Sequence, residues 1–234
     1  MSTGSMHEIV EVRKPLAERL VQEAVALVSA GGPEAMSLRE VQRRAGVSPA
    51  AAYRHFRDRD ALLLAVAHEC AGLLADHIAA GLDRVGRDTA SLQAAPPGAK
   101  ATPAASRARL LAACEAYLDF ATNNPGLYRA IFVSNEQIDE LSAPSERARG
   151  NAGDGGYNLL VAALQDVVTA TGGTSVHPWD PLAVWSCCHG LAMLRLDAAL
   201  RSLPDEVFAQ ARDRVLATLV AAVPLEAKPT ATNP

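Results

Sequence analysis

The sequence predicts an all-α protein, and three observations predict it. Ala and Leu dominate an apolar content of 49%, and aromatic residues supply only 4%, a mixture that favours helix. Apolar residues recur three and four positions apart in successive blocks and never alternate over a long stretch as a strand requires. The blocks are parted by helix punctuation, with Pro at first positions, Gly at ends, and Ser and Asp as caps. A chain of 234 residues has room for one or two domains with a sizeable core.

Taken in order, residues 1–14 form a flexible arm. Pro15 opens a first helix carrying Leu16, Leu20, Ala24, Leu27 and Val28, and Gly31-Gly32 stop it. Ser37 with Glu40 fits a capping box for a second helix ending near Ala45. Gly46 makes a turn, Ser48 caps a short third helix with Pro49 at its first position, and that helix ends near Phe56. Asp58 caps a fourth, with Leu62, Leu63, Val66, Cys70, Leu74, His77 and Ile78, whose pattern fades between Gly81 and Gly86. Residues 86–105, with Pro96, Pro97, Gly98 and Pro103, read as a mobile loop. Periodicity resumes at Leu110, breaks at Asn124-Pro125 and restarts at once with Leu127, Tyr128, Ile131 and Phe132. Residues 134–156 are polar and Gly-rich with at most one weak helix. Further helices cover 159–171, closed by Gly172-Gly173, then a span opened by Asp180-Pro181, then 205–222. The tail 224–234 is Pro- and Thr-rich and expected to be disordered. The expected layout is a three-helix unit at 15–60, then 61–223, in which a fourth helix leads into a bundle of about five.

The net charge of −4 argues against a nucleic-acid partner, but its distribution does not. Between 37 and 60 stand six Arg (39, 43, 44, 54, 57 and 59) against Glu40, Asp58 and Asp60. Such an island is either a solvated face or a phosphate-binding one. Cys70, Cys114, Cys187 and Cys188 form no Cys-x-x-Cys pair, and no leader or uninterrupted membrane-length apolar run is evident. A cytoplasmic protein with no membrane role is expected. The adjacent Cys187 and Cys188 are either a redox pair or small apolar residues on a helix.

The third helix has an unusual surface. At 3.6 residues per turn, Ala52 and Phe56 fall on one face, suited to packing on Leu38, Val41 and Ala45. Pro49, Ala50 and Tyr53 share the other face. Small side chains there let the backbone approach base edges, and alanine methyls can meet thymine methyls. The Tyr53 hydroxyl and the His55 imidazole can reach phosphate oxygens. The second and third helices around Gly46 form a helix-turn-helix with the first as brace.

The run Val47-Ser-Pro-Ala-Ala-Ala-Tyr-Arg-His-Phe-Arg-Asp-Arg-Asp-Ala-Leu-Leu63, preceded by Ser37-Leu-Arg-Glu-Val-Gln-Arg-Arg-Ala-Gly46, closely resembles the TetR family of transcriptional regulators over residues 15–66. The resemblance implies that Arg39 reaches a base edge or a phosphate. It implies that Ser48, Tyr53, His55 and Arg59 hold phosphates while Pro49, Ala50 and Ala51 face the bases. Gln42 stands where the family usually has a small Ala, and Arg59 where it usually has Lys. The base-facing alanines offer no hydrogen-bond code, so Arg39 and DNA shape are expected to carry selectivity.

The second half resembles a C-terminal subgroup of that family named for a Trp-His-Gly signature, here Trp185-Ser-Cys-Cys-His189-Gly190, together with Asn124-Pro-Gly-Leu-Tyr-Arg-Ala-Ile-Phe132. Trp185 and His189 lie i,i+4 and touch one patch, either a pocket wall or a packing contact. Gly190 allows close approach of another helix. The resemblance implies a homodimer on the last two helices, each subunit reading half of a palindromic double-stranded DNA operator. The stripe Val207, Phe208, Ala211, Val215, Leu219 and Val223 permits it. It also implies a small-molecule effector, lipophilic in kind, among Tyr117, Phe120, Tyr128, Phe132, Trp185, His189 and Met193, which would be plain core without one. Repression relieved by that effector is the expected function, with no cofactor, no metal and no catalysis. A helical thiol sensor or an interaction protein without a DNA role is the alternative.

Overall fold

The computed structural model describes residues 15–92, 101–132, 155–197 and 199–223. The expected arm 1–14, the tail 224–234 and most of the span 134–156 lie outside the described residues. Among the described residues the secondary structure is helical throughout.

Helix α1 (Leu16–Gly31) begins after Pro15 and stops where Gly32 takes φ +79°, its N–H returning to the Val28 carbonyl at 2.8 Å. A 3-10 turn (Pro33–Ala35) leads to α2 (Leu38–Arg44), whose cap Ser37 accepts the Glu40 N–H. Gly46 turns the chain at φ +65°, a conformation that costs a glycine nothing. Helix α3 (Pro49–Tyr53) is capped by Ser48, which accepts the Ala51 N–H at 3.3 Å. Asp58 Oδ1 accepts the Ala61 N–H at 2.7 Å and opens α4 (Arg59–Leu92). Then follow α5 (Pro103–Asn123), α6 (Pro125–Ile131), α7 (Gly156–Ala170), α8 (Asp180–Asp197) and α9 (Asp205–Ala222).

Part of the span expected as a loop at 86–105 is helical. Helix α4 runs on to Leu92, and α5 starts at Pro103, where Thr102 Oγ1 accepts the Ala105 N–H at 3.2 Å. Gly81 is no helix terminator. A Cβ there would come within 2.9 Å of Ala116 Cβ on α5, so the glycine admits a close α4–α5 crossing. Packing on α5 then carries the helix through its weak sequence. The stretch Arg59–Gly86 is long and apolar enough to cross a bilayer, yet half of it is buried inside the fold, as in a core helix.

One apolar core runs through the whole molecule. Helix α4 contributes Leu62, Leu63, Val66, Cys70, Leu74, Ile78 and Leu82, all 6% exposed or less. Its N-terminal half closes the three-helix unit, and its remaining length packs on α5, α6 and α7. The stripe expected on α9 divides: Phe208 and Val223 are buried with Leu216 and Val220, while Val207 and Val215 face outward at 47% and 37% exposure.

Helix α6 meets α1 unusually closely. A Cβ on Gly126 would sit 2.2 Å from the Val28 carbonyl oxygen and 3.3 Å from the Gly32 nitrogen. Both are backbone atoms that cannot step aside. Gly190, by contrast, has nothing within 4 Å of where a Cβ would be, so among the described residues no helix approaches it closely. Gly126→Ala should therefore destabilise the fold by about 2 kcal/mol through overpacking. Gly190→Ala should be neutral or raise stability by roughly 0.5 kcal/mol through helix propensity. Urea unfolding of the two variants tests this pair, and equal midpoints would refute it.

Candidate nucleic-acid interface and effector cavity

Helix α3 presents the surface its sequence promises. Ala52 is fully buried and Phe56 packs on the core, while Pro49 and Ala50 face outward and Tyr53 is 56% exposed. Ser48 and His55 are also exposed, and Ala51 is half-buried. The unit is braced by arginines that donate to backbone carbonyls. Arg19 on α1 donates to the Ala45 carbonyl at 2.7 Å, placing a cation at the C-terminal end of α2 where the helix dipole favours it.

Arg59 is engaged in the same way. Its Nε donates to the Met36 carbonyl at 3.0 Å and its Nη2 to the Pro33 carbonyl at 2.8 Å. This side chain, expected to hold a phosphate, therefore also ties the start of α4 to the turn before α2. The planar guanidinium fork allows both bonds at once; a lysine at this position has no such geometry.

The rest of the basic island is mostly paired within itself. The Glu40 carboxylate takes Arg43 at 2.6 Å and Arg44 at 3.1 Å, and these hydrogen bonds hold its pKa at about 2. That pairing replaces the reciprocal half of the expected capping box. Arg57 pairs with Asp58 at 3.0 Å. Arg39 and Arg54 make no ion pair with other described residues, and Arg39 is exposed at the start of α2. Gln42, the residue out of pattern with the resemblance, is half-buried, and its Oε1 has no hydrogen-bond partner among the described residues.

In the second half, a cleft opens between α4, α5, α6, α7 and α8. It holds about 40 Å³ of free space. Tyr117, Phe132 and Trp185 line it as expected. Tyr128 and His189 stand behind these walls rather than among them. Phe120 is buried against His77, ring centroids 5.9 Å apart, and Met193 packs on the core. The sequence reading missed Ala71 and Leu74 from α4 and Tyr157 and Leu160 from α7. Their spacing marks them only as core, and no local signal separates a cavity wall from a core wall.

Behind the walls, Tyr117, Tyr128 and His189 form a triangle of polar atoms. The two phenolic oxygens are 2.9 Å apart, and His189 Nδ1 lies 2.7 Å from Tyr128 Oη and 3.1 Å from Tyr117 Oη. Either phenol can donate in the Tyr117–Tyr128 contact, and the direction of the two contacts to Nδ1 is set by the imidazole tautomer. With Nδ1 as acceptor, Nε2 carries the imidazole hydrogen. Burial raises both phenol pKa values and lowers that of His189, so the triangle is neutral. His189 stacks on Trp185 at 5.0 Å and meets Phe132 edge-on at 4.5 Å.

The cysteines are all free thiols. A hydrogen bond with Cys114 and then burial raise the Cys188 pKa, and burial pushes Cys70 up to about 12 and raises Cys187. Thiols held in that state are poor nucleophiles, which disfavours a thiol sensor.

A pH dependence follows from the histidines. Burial lowers the pKa of His189 and His68 below the ordinary 6.5, so the unfolded chain takes up protons first as pH falls. Their neutral state stabilises the fold fully above about pH 6.5, and that contribution is lost as pH falls through this value toward the folded pKa. The melting temperature should drop between about pH 7.5 and about pH 5.5, and His68→Gln with His189→Gln should flatten the slope. A slope unaltered in the double variant would contradict this account.

Comparison with known proteins agrees with this arrangement. Residues 20–66 match the model for bacterial regulatory proteins of the tetR family, and residues 110–219 match a tetracyclin repressor-like C-terminal domain. No curated protein matches the chain. Among solved structures, a protein with unknown function from Rhodococcus sp. RHA1 is 26% identical, covering 91% of this chain and 100% of its own at a TM-score of 0.58. The transcriptional regulator FadR from Bacillus subtilis, in complex with stearoyl-CoA, is 14% identical, covering 88% and 98% at 0.55. A bacterial regulatory protein in the tetR family from Rhodococcus RHA1 is 19% identical, covering 87% and 96% at 0.50. The chain thus carries the two domains of the TetR family, an N-terminal DNA-binding helix-turn-helix and a tetracyclin repressor-like C-terminal domain.

Proposed function

We propose that this protein is a cytoplasmic transcriptional repressor that holds a palindromic operator as a homodimer and releases it when a small lipophilic effector enters the cavity. The observation that carries the reading is the double duty of α4. Its first residue, Arg59, ties it to the turn before α2, and its Ala71 and Leu74 wall the cavity. An occupant that displaces Leu74 moves the helix to which the reading head is bolted. Release requires only that the occupant prefer the displaced arrangement.

In this reading Ser48, Tyr53, His55 and Arg59 hold phosphates, Pro49, Ala50 and Ala51 face the bases, and Arg39 reaches a base edge or a phosphate. With most of the arginine island already paired, phosphate binding rests on few cations and many neutral donors. Dimerisation uses α8 and α9, where Leu182, Leu194, Val207 and Val215 are exposed apolar residues. A two-fold pair sets the recognition helices about 34 Å apart, one DNA turn. The stack of Trp185 on His189, followed by Gly190, supports the Trp-His-Gly likeness. FadR of Bacillus subtilis, alike in fold, was crystallised with stearoyl-CoA, so the architecture can accept a lipophilic guest.

Gel shifts on the promoter of its own gene test the proposal. Tyr53→Ala and Arg39→Ala should each weaken binding about tenfold, or about 1.4 kcal/mol, and affinity should fall as salt rises. Ala113→Trp, whose indole stands in for an occupant, should weaken DNA binding without effector and lose the response to it. Unchanged DNA affinity in both surface variants would sink the DNA reading; an intact response in Ala113→Trp would sink the cavity reading.

A further inference from the structure

The cavity is apolar in an unusually complete way. Its walls are Ala, Leu, Ile, Phe, Trp, Tyr, Gly and Cys side chains, and no Lys, Arg, Asp or Glu lines it among the described residues. On the helices that wall the cavity, Arg109 pairs with Asp166 and Arg129 with Asp197, outside the lining. A guest that carried a charge would lose its water without meeting a counter-ion.

Two phenols, Tyr117 and Tyr157, interrupt the apolar lining, and Tyr117 is the one joined to a buried polar network. The Tyr117 side chain lines the cavity, and its hydroxyl leads into the Tyr128 and His189 contacts. With Nδ1 as acceptor, two hydroxyl hydrogens serve three short contacts, so one of the three has no hydrogen of its own. A guest hydroxyl or carbonyl that engages Tyr117 relieves this crowding and re-forms the network around itself. The free space is small, about 40 Å³, so a narrow guest enters by nudging side chains, and the rings of Trp185 and Phe132, with centroids 6.3 Å apart, are among those it meets.

We propose that the effector is an uncharged, slender lipophilic molecule with one hydroxyl or carbonyl group, which it places on Tyr117 and the Tyr128–His189 pair behind it. This rests on the cavity reading above and narrows it to a ligand class. Burial holds both phenols protonated and the imidazole neutral, so the triangle offers a guest hydrogen bonds and no charge. Hydrogen-bonding sites discriminate strongly against guests that leave their groups unpaired.

The test uses the full chain with Trp179, the exposed indole, replaced by Phe, so that fluorescence reports Trp185. Three probes of equal length are titrated near neutral pH: 1-octanol, octanoate and octylamine. Octanol should quench or shift Trp185 with an affinity at least tenfold above either charged probe. Tyr128→Phe should weaken octanol about tenfold while its thermal melting stays near that of the parent. Octanoate or octylamine binding as tightly as octanol would overturn the ligand class and leave the cavity reading standing. Octanol binding untouched by Tyr128→Phe would overturn the role of the triangle. No response to any probe, with Trp185 still half-buried, would overturn the cavity reading itself and this inference with it.

Discussion

Helix α4 keeps an apolar stripe buried from Leu62 to Leu82, and the placement of everything else depends on it. A 34-residue helix spans about 50 Å at 1.5 Å per residue. One end of the stripe completes the small three-helix unit, which has too few residues to bury a core alone. The rest receives α5, α6 and α7. Because one core serves both parts, neither can shift without the other registering it. The Asp58 cap and the Arg59 bonds to Met36 and Pro33 make the N-terminal end of this connection stiff.

A second connection runs through α6. Gly126 lays that helix against the last turn of α1 at backbone distance, while Tyr128, Ile131 and Phe132 reach the cavity or the polar triangle behind it. Arg129 on the same short helix pairs with Asp197 on α8. Seven residues therefore touch the reading head, the cavity and α8 together. Two rigid routes from cavity to α1 and α2 suit a device in which small movements must not be absorbed by soft loops.

The reading head was legible in detail because its signals are local. Ser37, Ser48, Asp58, Gly32 and Gly46 each act on the backbone within a few residues, and each does in the structure what its residue type does in general. The cavity was legible only in part. Aromatic residues at helical spacing mark Tyr117, Phe132 and Trp185, which line it, as readily as Phe120 and Met193, which do not. Whether a buried side chain faces a void or a neighbour depends on the opposite helix, and that information lies elsewhere in the chain. Gly81 misled for a related reason: a glycine that admits a crossing helix has the same letter as one that ends a helix.

By itself, the sequence determined that the chain is helical, where its caps and turns fall, and which residues of α3 face outward. Those properties come from backbone chemistry and periodicity, which need no partner at a distance. Only the tertiary structure decided that Arg59 braces the reading head, that Glu40 draws in Arg43 and Arg44, and that Tyr117, Tyr128 and His189 meet in one triangle. These contacts join residues from different helices, or choose among partners that the sequence offers equally. Charge pairing and hydrogen bonding act over a few ångströms in space, and folding alone sets which groups come that near.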